Sequence, residues 1–270
     1  MRGIEKDPNG PRIDIRNDLI RHLAERVTIV SDYDSPITTK SERLLLGIEV
    51  SDAVAVVKAV TKAMESDPHA QKREHNDHVV WEILDDAPVE IETIKIDGGF
   101  GFGFEDVEPV PEENEKPLIP NAAVTVAYGQ LLVANNIDYL FEILDLPTSD
   151  RQQLDTQRLD AMTDYTRVGE ALEQLGLDEA SFRFFTRTDE AYRPTYELTR
   201  RGKMPESETI LGKLLNQIWA PDEEGQRRQQ YIDGEKMPEY SQILKYFGPA
   251  GVFVRTEDDG WSIVGCLLTK

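Results

Sequence analysis

The sequence predicts an α+β fold of mainly antiparallel sheets, with ββα units and a helix-rich C-terminal half. Two observations predict it. Strand-like runs come in pairs joined by tight turns, as in Lys72–His75 with His78–Leu84 and in Ala122–Ala127 with Gln130–Ala134. Helical spacing falls between such pairs rather than after each strand, which disfavours a doubly wound parallel sheet.

Along the chain, Ile15 to Glu25 carries apolar residues at 15, 19, 20 and 23, a helical spacing, and Val27 to Val30 then reads as a strand. Leu44 to Val50 is a second strand. Asp52 is placed to cap a helix carrying Val54, Val57, Val60 and Met64. The strands Lys72–His75 and His78–Leu84 flank Asn76-Asp77, residue types that tolerate the left-handed backbone of a two-residue hairpin, and residues 89–96 can extend that sheet. From Gly98 the chain becomes Gly-Gly-Phe-Gly-Phe-Gly-Phe. Between 105 and 120 it holds six acidic residues and four prolines, a composition that builds no core.

Ala122–Ala127 and Gln130–Ala134 form the next pair, and Asn135 or Asn136 caps a helix with Ile137, Leu140, Phe141 and Leu144 on one face. This strand, strand, helix order repeats that of Val27 to Met64 and fits an internal duplication, although too few identities align to claim a repeat. Asp164 is placed to cap a helix bearing Tyr165, Val168, Leu172 and Leu175, with Gly176 as its stop. Phe182 to Arg187 is a strand, Asp189 caps a short helix, and apolar pairs recur every four residues from 210 to 219. Residues 220–237 read as loop. A last helix near Tyr240–Phe247 precedes a closing hairpin, Val252–Thr256 and Trp261–Leu268. The expected organisation is a first lobe over 12–104, an acidic Pro-rich linker or loop over 105–120, and a second lobe over 121–270, unless the whole is one continuous domain.

The chain has 270 residues, with 51 Asp and Glu against 30 Lys and Arg, a formal net charge of -21. Such a charge repels a phosphate backbone and disfavours nucleic-acid binding. No stretch has the roughly 18 apolar residues of a membrane span, so insertion is not expected. The single Cys266 excludes an intrachain disulfide and a cysteine-rich zinc site, and it lies in an apolar strand where a buried small hydrophobe is expected.

No segment carries a recognisable catalytic signature, and no cofactor is expected. His75 and His78 would oppose each other across the hairpin, close enough to share a metal with a third ligand; a solvated hairpin tip is the plainer reading. Phe100, Phe102 and Phe104 make a candidate contact loop, or else pack on the neighbouring sheet. Arg183 and Arg187 share one strand face opposite Phe182 and Phe184, and could hold an anion or pair with nearby acids such as Asp189 and Glu190.

Three stretches, Asn121 to Ala134, Tyr192 to Thr209 and Gly248 to Trp261, resemble the C-terminal region of large uncharacterised exported proteins of planctomycete-type bacteria, a family of domains of unknown function. The resemblance spans about residues 12 to 268 and supplies no catalytic residues. It implies an extracytoplasmic or cell-envelope setting. The polar Pro/Gly start fits a fragment of a longer chain, whereas a chain starting at Met1 would be cytoplasmic. The leading expectation is a non-catalytic module acting through protein contacts at the Gly-Phe loop or a sheet edge. The rivals are a hydrolase using carboxylates with His75 or His78, and a calcium-stabilised structural domain.

Overall fold

A computed structural model describes residues 13–84, 122–146, 158–178, 180–207, 209 and 230–270. The chain divides into two units, Met1–Ser31 with Arg43–Asp145, and Asp32–Glu42 with Leu146–Lys270. The expected strand over 89–96, the Gly-Phe loop with Phe100, Phe102 and Phe104, the 105–120 linker and the 210–219 helix lie outside the described residues.

The first unit is a six-stranded sheet between two helices. Its strands are β1 (Leu23–Tyr33), β2 (Glu42–Val50), β3 (Ala70–His75), β4 (His78–Ile83), β5 (Ala123–Ala127) and β6 (Gln130–Ala134), in the order β1-β2-β6-β5-β4-β3. The pairs β2–β6, β6–β5, β5–β4 and β4–β3 are all antiparallel. Both two-residue turns adopt the left-handed backbone that favours tight hairpins, Asn76 and Asp77 at φ 45° and 63°, Tyr128 and Gly129 at 53° and 73°. One sheet therefore takes strands from either side of residues 105–120, and the lobe division expected there does not separate the sheets.

Alternation along the strands sorts the core into two layers. Helix α1 (Ala53–Glu65) sets Val56 and Val60 against Trp81, Val124 and Leu131. Helix α2 (Ile137–Asp145) sets Tyr139, Leu140 and Leu144 against Val80, Ala123 and Leu132 on the other face. Asp52 caps α1 by accepting from the Ala55 amide at 3.0 Å, and Asn136 caps α2 through the Tyr139 amide at 3.1 Å. The buried stripe of α1 is Val56, Ala59 and Val60; Val54 and Val57 face solvent, because the helix is rotated to seat Val56 over the sheet. Ile15 to His22 forms two short turns rather than a full helix, because Leu23 to Val27 is drawn into β1.

The two ββα segments are not copies. With the second strand of each running upward and its hairpin partner on the left, α1 lies in front of the sheet and α2 behind it. The segments have opposite hands, and no rigid rotation superposes them.

The second unit carries β7 (Phe182–Arg187), β8 (Pro249–Glu257) and β9 (Gly260–Leu267) in one antiparallel sheet. Helix α3 (Thr163–Gln174) lies on one face, where Val168, Leu172 and the fully buried Phe253 form the core. Asp164 falls inside its first turn and caps nothing; Met162 precedes the helix without a side-chain bond. Short helices α4 (Thr188–Ala191), α5 (Arg193–Arg200) and α6 (Tyr240–Ile243) follow, with Ile37, Leu198 and Met204 as a satellite core.

Candidate functional site

The three-stranded sheet has two apolar faces and, among the described residues, one helix to cover them. Register settles which residues share a face. Phe182 pairs with Val254 and Phe184 with Val252 on β8, which in turn pair with Ile263 and Gly265 on β9. The alternate set, Phe185, Gly251, Phe253 and Val264, points to α3. That seat is close: a Cβ on Gly251 would lie 2.4 Å from Val168 Cγ1 and 3.0 Å from Leu172 Cδ1.

The opposite face is open. Trp261 is 78% exposed, Ile263 70%, Leu267 69%, Phe182 53% and Phe184 48%, around half-buried Val252 and Val254. At the areas usual for such side chains, these five present on the order of 700 Å² of apolar surface, above the range of about 300–600 Å² for the largest patch on a typical monomer. Its strand positions carry only apolar residues, glycine and Thr186 and Thr256. The acidic turn Glu257-Asp258-Asp259 closes one end of the sheet. At the other end Arg187 and Lys270 neighbour Asp189 and Glu190.

Sequence reasoning missed this face because β9 is apolar on both sides, which reads as a buried strand. The usable signal was the count of coverings: a sheet of two apolar faces needs a layer on each, and among the described residues only α3 supplies one. Cys266 lies on the α3 side, half-buried and free.

The sequence-predicted arginines sit on the covered side and are engaged locally. Arg183 donates to the Asp178 carbonyl at 3.4 Å, and Arg187 lies 3.4 Å from Glu190 and 4.0 Å from Asp189. Asp189 itself is buried and meets Lys270 Nζ at 2.6 Å, while its backbone carbonyl accepts from Tyr240. Burial, then the Asp189 charge, pushes the Tyr240 hydroxyl up to about 12. Tyr33 donates to Glu190 at 2.5 Å, and burial followed by that bond raises its pKa as well. These groups bond to one another and hold the short helices together.

In the first unit, His75 and His78 are directly opposed in register, yet each turns to a different neighbour. His75 Nε2 lies 2.6 Å from Asp145 Oδ1 and its ring stacks on Phe141 at 4.2 Å, whereas His78 meets the Tyr128 ring edge at 5.2 Å. Asp145 also accepts from Asn76 Nδ2 at 2.5 Å. The carboxylate thus fastens the hairpin tip to the end of α2. Among the described residues no group of three His, Cys, Asp or Glu side chains is placed to hold a metal ion, and no helix is long and apolar enough to cross a membrane. A hollow lined by Val57, Thr61, Asp77, His78 and Trp81 holds about 220 Å³, below the roughly 300–1,000 Å³ of ligand pockets.

Comparison with protein families, with curated proteins and with solved structures returns no match.

Proposed function

We propose that this chain is a non-catalytic module that works by protein contact, through the outer face of the β7–β8–β9 sheet. The observation that carries the reading is the row Phe182, Phe184, Trp261, Ile263 and Leu267, open to solvent on a sheet whose opposite face is already filled by α3. Exposed apolar area of that extent on rigid strands lowers free energy when covered, at about 25 cal/mol per Å². The resemblance of Asn121–Ala134 and Gly248–Trp261 to exported proteins supports placing the module in the cell envelope or outside the cell. The hydrolase reading has only the His75–Asp145 pair behind it, and that carboxylate is also bonded to Asn76.

A photoreactive benzoylphenylalanine in place of Trp261 tests the contact reading in cells. Light-dependent adducts of discrete mass are expected at position 261 and not at position 54, an exposed valine on α1. Equal labelling at the two positions, or none at 261, refutes it.

A further inference from the structure

We propose that the occupant of this face is a second copy of the same chain, docked sheet on sheet; the inference rests on the contact reading above. Three features of the face point to its own twin. Its area, about 700 Å², matches the roughly 800 Å² that each partner contributes to a standard interface. The surface is uncharged between the strand ends, so a copy laid upon it buries no ion and sets no like charges face to face. The charge at its two ends then fixes the orientation. A two-fold axis lying between the sheets and across the strands carries the Glu257-Asp258-Asp259 turn of one copy to the far end of the other, where Arg187 and Lys270 offset Asp189 and Glu190. An axis along the strands would bring the two acidic turns together. The arrangement is therefore antiparallel, with Trp261 of each copy packed toward the Leu267 end of its partner, as two sheets at about 10 Å pack in a sandwich.

Both copies carry -21, so the only long-range term is repulsion, and screening it strengthens the pair. A basic partner protein would show the reverse salt dependence.

Sedimentation equilibrium of the full chain across micromolar concentrations, in low and high NaCl, tests the proposal. A reversible dimer is expected that tightens as salt rises. Ile263→Asp, which puts a charge into the apolar face, and Trp261→Ala, which removes its largest exposed side chain, should each raise its dissociation constant by roughly thirtyfold or more, as hot-spot residues do. Val54→Asp, which alters an equally exposed valine outside the face, should leave it unchanged. A dimer that loosens with salt, or that responds to Val54→Asp as it does to Ile263→Asp, overturns the proposal. So does a monomer at all concentrations, and acrylamide quenching of the emission lost in Trp261→Phe then separates two failures. If Trp261 is freely quenched, self-docking fails and the open contact face stands. If it is shielded in the monomer, the face is covered within the chain and both readings fall.

Discussion

Gly251→Ala puts the packing of the second unit under direct strain. The added Cβ would sit 2.4 Å from Val168 Cγ1, about 1.5 Å inside ordinary carbon–carbon contact, and 3.0 Å from Leu172 Cδ1. Neither neighbour has room to swing away, since Val168 is 2% and Leu172 5% exposed and both pack on Phe253. Relief requires α3 to lift from the sheet, which opens the layer around Phe253. Overpacking of this kind costs about 1–3 kcal/mol, and the depth of the overlap puts this case near the upper end. A fall in melting temperature of roughly 6–12 °C is expected by calorimetry or circular dichroism. Val168→Ala alone loses about 1–2 kcal/mol by leaving a cavity. Combined, the two should cost less than their sum by about 1 kcal/mol, because the shortened side chain makes room for the new methyl. A Gly251→Ala protein that melts within 1 °C of the parent, or strict additivity in the double mutant, would refute the seating of α3 on this face.

Two further outcomes follow from the polar contacts. Tyr240 has its pKa raised to about 12 in the folded chain against about 10 when unfolded, so the folded state holds its proton longer; stability from this group is fully present below pH 10 and is lost as pH rises from 10 to 12, by up to about 3 kcal/mol. Tyr240→Phe should cost about 1 kcal/mol at pH 7, through the lost bond to the Asp189 carbonyl, and flatten that alkaline decline in urea titrations; an unchanged decline would contradict the assignment. Asp145→Ala should destabilise the first unit by about 1 kcal/mol, and a double-mutant cycle with His75→Ala should give a coupling near 0.5–1 kcal/mol for this half-exposed pair. A coupling of zero would mean that the carboxylate does not fasten the hairpin.

Much of the fold was legible because its signals are local. Asn76-Asp77 marked the β3–β4 hairpin, Asp52 the start of α1, and paired apolar runs on either side of short turns gave β5, β6, β8 and β9. What failed was non-local. Nothing within Ala122–Leu144 tells that β6 will pair with β2, so the first sheet was divided between two lobes, and nothing within a ββα segment records which face its helix covers, so two segments of opposite hand looked like repeats. The stripe of α1 was misread by one position for a related reason: Val54, Val56, Val57 and Val60 offer two overlapping apolar faces, and contact with Trp81 and Val124 selects between them. The site was the least legible part. Arg183 and Arg187 drew attention as charges, while the phenylalanines beside them are exposed because, among the described residues, a covering helix lies on the other face alone, a property of the assembled sheet rather than of any one strand.

The central claim is that the outer face of β7–β8–β9 is a contact surface, and carbene footprinting of the full chain at submicromolar and high micromolar concentration tests it most directly. Labelling of Trp261, Ile263 and Leu267 should be strong in the dilute sample and fall severalfold in the concentrated one, while Trp81, 6% exposed in the first core, stays weakly labelled throughout. Labelling of the three outer residues that is as weak as that of Trp81 in the dilute sample would contradict the claim, because the face would then be no open surface at all.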